Sequence, residues 1–354
     1  MRKHATVLAL LFCLISNGNM RESSPSSLTI VEATQKTQDV ETAGDAADDI
    51  AIYVHPKKPS QSLIIGTDKH YGLNIYSLSG EKKQGFPDGE INNVDLRYGF
   101  RFKGKTITLI GAGNRTTNTM DFYSIDKDSD AVQRLSIKSL DAGLNIYGSC
   151  FYQSPISDKF YFFVNSKKGE VIQWEIFEEK QSLSAKKTRS FNVGSQTEGC
   201  VSDDDLKRFY VAEENVGIWS YGAEPSEGEK RKLIDKTGKN GHLMADVEGL
   251  ALYKIGKNEG YLLASSQGEN AFNIYKRSDN GYLGKFFISY QDKLVMNCDG
   301  IEATAHYLNL SYPTGMMVVQ DGNPNNERQS FKLVPWHKIA LGFYPPLLMV
   351  PLNS

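Results

Sequence analysis

The 354-residue chain carries 40 Lys and Arg against 42 Asp and Glu, a formal net charge of −2, with 40% hydrophobic and 23% charged residues. That is an ordinary globular balance, and it excludes a nucleic-acid binder held by a broadly basic surface. Four cysteines in this length exclude a small disulfide scaffold.

The N-terminus comes first. MRKHAT is positively charged, VLALLFCLIS is a short apolar run, and small and polar residues follow. This order predicts a secretory signal peptide over 1–19, and hence a secreted or periplasmic protein. Cys13 ends the apolar run and raises the alternative of a lipid-anchored protein, against which the bulky Phe12 before it counts. Residues 20–40 are expected to be a flexible lead-in. The three remaining cysteines, Cys150, Cys200 and Cys298, are expected to be small buried thiols, and no CxxC or His/Cys spacing suits zinc.

From there on the apolar pattern alternates. SLIIGT, LNIYSL, TITLIGA, DFYSI, FYFFV, FYVAEE, YLLASS and GMMVVQ read as short strands bounded by Gly, Asp, Asn or Ser. No long segment has helical periodicity, so the class is all-β. The strands come in sets. Each set opens on a polar residue: Asp49 in DDIAIYV, Asp95 in NNVDLRY, Tyr147 in IYGSCFY, Glu198 in TEGCVSD, Glu248 in DVEGLAL and Asp299 in CDGIEAT. Farther on in each set an apolar strand ends at Asp68, Asn114, Ser166, Glu214, Gln267 or Asp321. Six units of about fifty residues predict a six-bladed β-propeller over 41–340. Ring closure is expected to join the strand around Asp49–Val54 to the last blade near FKLVPWHKI. The tail 341–354 is apolar and proline-containing and too short to span a bilayer. It is expected to pack on an outer blade or to be disordered.

In a propeller, equivalent positions of the innermost strands meet at one mouth of the axial channel. Asp48, Asp49, Glu198, Glu214, Glu248 and Asp299 are therefore expected to converge. So many carboxylates repel one another unless cations neutralise them. Oxygen donors without His or Cys point to Ca²⁺, and to more than one ion. Lys69, Arg115 and Lys167, with Lys168 beside it, add cations in the first three units. A rim with metal ligands on one side and cations on the other suits a substrate bearing several phosphates. DKDSDAV (126–132) looks like the start of an EF-hand loop. Ala131 stands where that loop needs Gly and Ile137 where it needs Glu, so a hairpin loop is expected instead.

These residues resemble the β-propeller phytases, the calcium-dependent alkaline phytases, over about 41–340. The motifs are ETAGDAADDIAIYVHPKKP, LIIGTDK, GLNIYSL, NNVDLRY, NRTTNTMDFY, YGSCFY, SQTEG, YVAEENVGIW, DVEGLALY, GYLLASSQG, CDGIE, VVQDGN and FKLVPW. The resemblance implies an enzyme that hydrolyses phytate (inositol hexakisphosphate) with several bound Ca²⁺ ions and releases phosphate. It implies calcium ligands at Asp48, Glu198, Glu214, Glu248 and Asp299. Phosphate would be held by Lys69, Arg115, Tyr147 and Lys167, with Gln267 on the same rim. It also implies one structural calcium at Asp49 and Asp246, and another at Asp321 and Asn323. Water would attack phosphorus directly, phytate or its calcium complex would be the substrate, and a monomer is expected. Lys168 departs from the acidic residue of some relatives, and SYQDKLVMNCDG is short and poor in acid, so the number of ions is open. The rivals are a propeller hydrolase of another class, such as a lactonase, and a non-catalytic calcium-binding propeller.

Overall fold

A computed structural model describes residues 28–126, 131–135, 140–322 and 328–350. The expected signal peptide, Asn323 and most of the EF-hand-like stretch lie outside these residues. The described chain is almost all strand, with one helix, Trp336–Leu341. Its six sheets are the blades of a propeller. Blade 1 is Ala47–Tyr53, Leu63–Asp68, Gly72–Ser77 and Lys82–Phe86. Blade 2 opens with Ile91–Phe102, Lys105–Asn114 and Thr119–Asp126, blade 3 with Ser149–Gln153 and Phe160–Asn165, and blade 4 with Thr197–Asp203 and Arg208–Glu213. Blade 5 opens with Val247–Ile255 and Glu259–Ser266, and blade 6 with Ile301–Thr304, Met316–Asp321 and Ser330–Pro335. Apart from the two N-terminal strands at the outer edges of blades 5 and 6, the strands of each blade run outward in chain order, and the innermost strands touch one another in a closed ring.

Alternation explains the packing. The inner strands bury both faces, one against each neighbouring blade, and each of the six apolar clusters fills one gap between blades. Ile65 and Ile75 of blade 1 meet Ile110 and Tyr123 of blade 2. Phe163 of blade 3 stacks on Phe209 of blade 4 with centroids 4.0 Å apart, a contact worth roughly 0.5–1.5 kcal/mol beyond the area it buries.

Three expectations need correction. Ring closure is made by Gln35–Lys36, which pairs antiparallel with Ser330–Pro335 as the outermost strand of blade 6. The strand around Asp49–Val54 is instead the innermost strand of blade 1. The lead-in is ordered from residue 28, because Ile30–Glu32 also adds a parallel strand to the outer edge of blade 5. Finally, Cys150 and Cys200 are not free thiols. They form a disulfide between the innermost strands of blades 3 and 4, with Cα atoms 5.9 Å apart, while Cys298 is free and buried. Of the two expectations for the tail, packing describes residues 341–350. The Trp336 indole N–H donates to Leu348 O at 3.0 Å, Leu348 N donates to the Tyr261 hydroxyl at 2.6 Å, and Leu347 is buried.

Candidate active site

The site is built from one irregularity repeated around the axis. In blade 1 the ladder pairs Ala47 with Asp68 and then Ile50 with Gly66, so the doublet Asp48-Asp49 opposes Thr67 alone. The same bulge occurs at Asn92-Asn93 against Gly113, Glu198-Gly199 against Ala212, and Glu248-Gly249 against Ser265. Tyr147-Gly148 faces Asn165 in blade 3, and Asp299-Gly300 faces Gln320 in blade 6. A bulge re-aims side chains at the end of a strand. The first residue of each doublet therefore forms an inner ring at one mouth of the channel: Asp48, Asn92, Tyr147, Glu198, Glu248 and Asp299. The second residue lies against the next blade. A Cβ on Gly199 would stand 2.1 Å from Glu248 O, and one on Gly249 would stand 2.6 Å from Asp299 O, so a side chain at either glycine would push the blades apart.

Two residues beyond the one opposite each doublet comes an outer ring: Lys69, Arg115, Lys167, Glu214, Gln267 and Gly322. Four of these make the same backbone bond. Lys69 N donates to Ala46 O at 2.7 Å, Arg115 N to Glu90 O at 2.8 Å, Glu214 N to Gln196 O at 3.0 Å and Gln267 N to Asp246 O at 2.9 Å. The structure brings the expected residues to one mouth, in a register that differs from the expected one. Asp49 and Asp95 are not the inner-ring members of blades 1 and 2. Glu214 and Gln267 are equivalent to Lys69 and Arg115, not to Asp68 and Asn114. Asn92 was missed altogether, because an amide in NNVD does not look like one of a row of carboxylates.

The rings divide into two halves. Glu198, Glu214 and Glu248 are buried, and each can place a carboxylate oxygen within 4.8 Å of those of the other two. Asp48 Oδ2 and Glu248 Oε2 are buried with no hydrogen-bond partner. Burial, and then the charge of Glu198, raises the Asp48 and Glu248 carboxyls well above the usual range. Burial pushes Glu214 up to about 7 and Asp299 up to about 6, although Lys69 pulls Asp299 back. Amides steady the remaining oxygens: Asn92 Nδ2 on Glu198 Oε1 at 2.5 Å, Gln196 Nε2 on Glu214 Oε1 at 2.8 Å and Gln267 Nε2 on Asp299 Oδ1 at 2.6 Å. Orphaned buried oxygens and an all-oxygen donor set fit a hard divalent cation, Ca²⁺ above all.

The other half is cationic. The Lys69 ammonium pairs with Asp299 at 3.0 Å and with Asp45 at 2.8 Å, and stands 3.7 Å from Asp48. The Lys167 ammonium lies 4.2 Å from the centroid of the Tyr147 ring, and the Arg115 guanidinium 5.7 Å from it. The Tyr147 hydroxyl bonds Glu198, and burial with that carboxylate raises its pKa. A cavity of about 380 Å³ opens here beside Arg115, Tyr147, Lys167 and Lys168.

The remaining expected residues lie elsewhere. Asp49 Oδ2 accepts from Asn93 Nδ2 at 3.0 Å and from Val94 N at 3.1 Å, and burial pushes its carboxyl up to about 7. The charge of Asp246 adds to the rise of the Glu214 carboxyl. Asp321 is paired with Lys332 at 2.9 Å. At the opposite mouth, a cavity of about 590 Å³ is lined by Asp95, Arg97, Asp204 and Glu302 among others. Two of its acids are paired from within: Arg97 bonds Asp95 at 3.0 Å and Asp204 at 2.7 Å.

Fold and site together define a β-propeller whose upper mouth sets a cluster of buried carboxylates beside basic side chains. A family model described as Phytase matches residues 2–346. A 3-phytase of Bacillus subtilis (strain 168) is 40% identical over 332 residues, which cover 90% of this chain and 87% of that one. The chain belongs to the phytase family and is an enzyme of that family. In fold alone it is similar to a calcium-binding protein, regucalcin, from Agrobacterium tumefaciens. That structure matches with a TM-score of 0.52 and 11% identity over 86% of this chain and 94% of the other.

Proposed function

We propose that the chain is a calcium-dependent phytase that hydrolyses phosphomonoesters of phytate to lower inositol phosphates and phosphate. One observation carries this reading: orphaned buried carboxylates and three basic side chains share one channel mouth. Asp48, Glu198, Glu214, Glu248 and Asp299 would hold calcium. Calcium there supplies polarisation of the phosphoryl group and of the attacking water, and it offsets the charge that develops on the equatorial oxygens. Lys69, Arg115 and Lys167 bind phosphate oxygens by charge-assisted hydrogen bonds. The Tyr147 hydroxyl fixes the Glu198 carboxylate between the two halves. Neither ring contains a His or Cys nucleophile, and the carboxylates would be engaged as calcium ligands, so in this reading water attacks phosphorus and the ester P–O bond breaks without a phosphoenzyme.

A substrate with several phosphates can engage both halves at once, and a simple aryl phosphate cannot. Phosphate release from phytate at pH 8 with calcium should exceed release from an aryl phosphate by about a hundredfold or more, the scale of a lost electrostatic clamp. Equal rates on the two would contradict the clamp. The chain acts outside the cytoplasm in this reading. The charged and apolar pattern of residues 1–19 supports export, and so does the Cys150–Cys200 disulfide, a bond that persists in oxidising compartments. A monomer belongs to the same reading, supported by ring closure within one chain.

A further inference from the structure

Asn92 is the inner-ring residue of blade 2, and it is fully buried. Where blades 1, 4, 5 and 6 present carboxylates, it presents an amide whose two ends face opposite charges. Its Nδ2 donates to Glu198 Oε1 at 2.5 Å and to Asn93 Oδ1 at 3.2 Å, while its Oδ1 accepts from Arg115 Nη1 at 2.9 Å. The partners fix this orientation, because a carboxylate can only accept and a guanidinium can only donate. Aspartate here could still accept from Arg115 but would set a like charge against Glu198. Leucine would fill the space and take from Glu198 and Arg115 the bonds they make to the amide.

We propose that Asn92 is a positioning residue that couples the carboxylate half of the site to the cationic half, so that anion capture at Arg115 depends on the cation held at Glu198. This rests on the calcium and phytate reading above. A rigid amide that bonds both residues is the shortest link between the halves, and energetic coupling between two ligands is reciprocal.

The test is calorimetric and needs no turnover. Inositol hexakissulfate, a non-hydrolysable polyanion, is titrated into the full chain without calcium and at saturating calcium, where calcium should tighten it in wild type and tighten it less in Asn92→Leu, and calcium is titrated separately. Asn92→Leu should weaken hexasulfate binding about tenfold, the size of one lost charge-assisted hydrogen bond. Arg115→Ala should weaken it at least as much, and the double variant should bind no more weakly than Arg115→Ala alone. Asn92→Asp should move the two ligands in opposite directions. The added carboxylate tightens calcium, while an ion pair with Arg115 weakens hexasulfate. Additive losses in the double variant, or parallel shifts of both ligands in Asn92→Asp, would overturn the proposal. If Asn92→Leu does not fold, the paired shifts of Asn92→Asp decide. A wild-type chain that binds neither ligand defeats the reading beneath the proposal and the proposal with it. A wild-type chain that binds both, with both affinities unchanged in the Asn92 variants, defeats the proposal alone.

Discussion

The two mouths of the channel are both acidic, and they differ in how far their carboxylate oxygens are supplied with donors. At the lower mouth Asp95 accepts from Leu96 N, Phe151 N and Arg97, and Asp204 accepts from Arg97 and Gln153 N. At the upper mouth Asp48 Oδ2 and Glu248 Oε2 are buried and accept from nothing. A count of carboxylates does not separate the two. Donor satisfaction does, because a buried charge is tolerated only when it is paired or ligates a cation. The lower cluster holds blades together, and the upper one keeps buried oxygens without donors, which a ligand can satisfy.

The contrast can be broken from either side. The largest effect is expected at the upper mouth. Glu198→Gln and Glu248→Gln should each lower phosphate release from phytate by about a hundredfold or more, and each should reduce the calcium taken up in a calorimetric titration. Both variants should stay folded, because each removes repulsion from the metal-free site. At the lower mouth, Arg97→Met should leave Asp95 and Asp204 buried without their cation. It should cost about 3–5 kcal/mol of stability in a denaturant titration, while turnover by the folded fraction stays near wild type. An Arg97 variant with full stability and no activity would invert the assignment of the two mouths.

The smallest effect is a slope. Burial pushes the Glu302 carboxyl up to about 8, with Asp95 adding to the rise. Between the ordinary glutamate range and pH 8 the folded state holds a proton that the unfolded state has released, so stability falls as pH rises across that window. Glu302→Gln should flatten the fall by up to about 1.4 kcal/mol per pH unit between pH 5 and 7. Glu214 and Asp299, raised to about 7 and about 6, contribute with the same sign. Calcium, which binds the deprotonated forms, should reverse their share, so its stabilising effect should grow with pH. Melting curves from pH 5 to 8, with and without calcium, read both effects.

The blade count and most of the site could be read from the sequence because each bulge leaves a local mark. In Glu198-Gly199 and Glu248-Gly249 the close approach of the next blade forces Gly, and the axis takes an acid. Blades 1 and 2 lack that Gly, carrying Asp49 and Asn93 instead, so the register slipped there and Asn92 was hidden. The outer ring was blurred because Glu213 and Glu214 are adjacent acids, and only the backbone bond to Gln196 O shows which one faces the site. The closing strand left little signal, since Gln35–Lys36 is two polar residues long and its partner lies about three hundred positions away. The disulfide did leave a trace. Cys150 and Cys200 are 50 residues apart, one blade repeat, which sets equivalent positions of neighbouring strands side by side.

The most direct test of the upper mouth as a calcium-loaded phosphate-transfer centre is phosphate release from phytate at pH 8 by one folded sample. The sample is followed with calcium, after chelation, and after calcium is restored, with circular dichroism recorded at each stage. Release should stop on chelation with the β signal retained, and should return with calcium. Undiminished release from the chelated, folded protein would contradict the account.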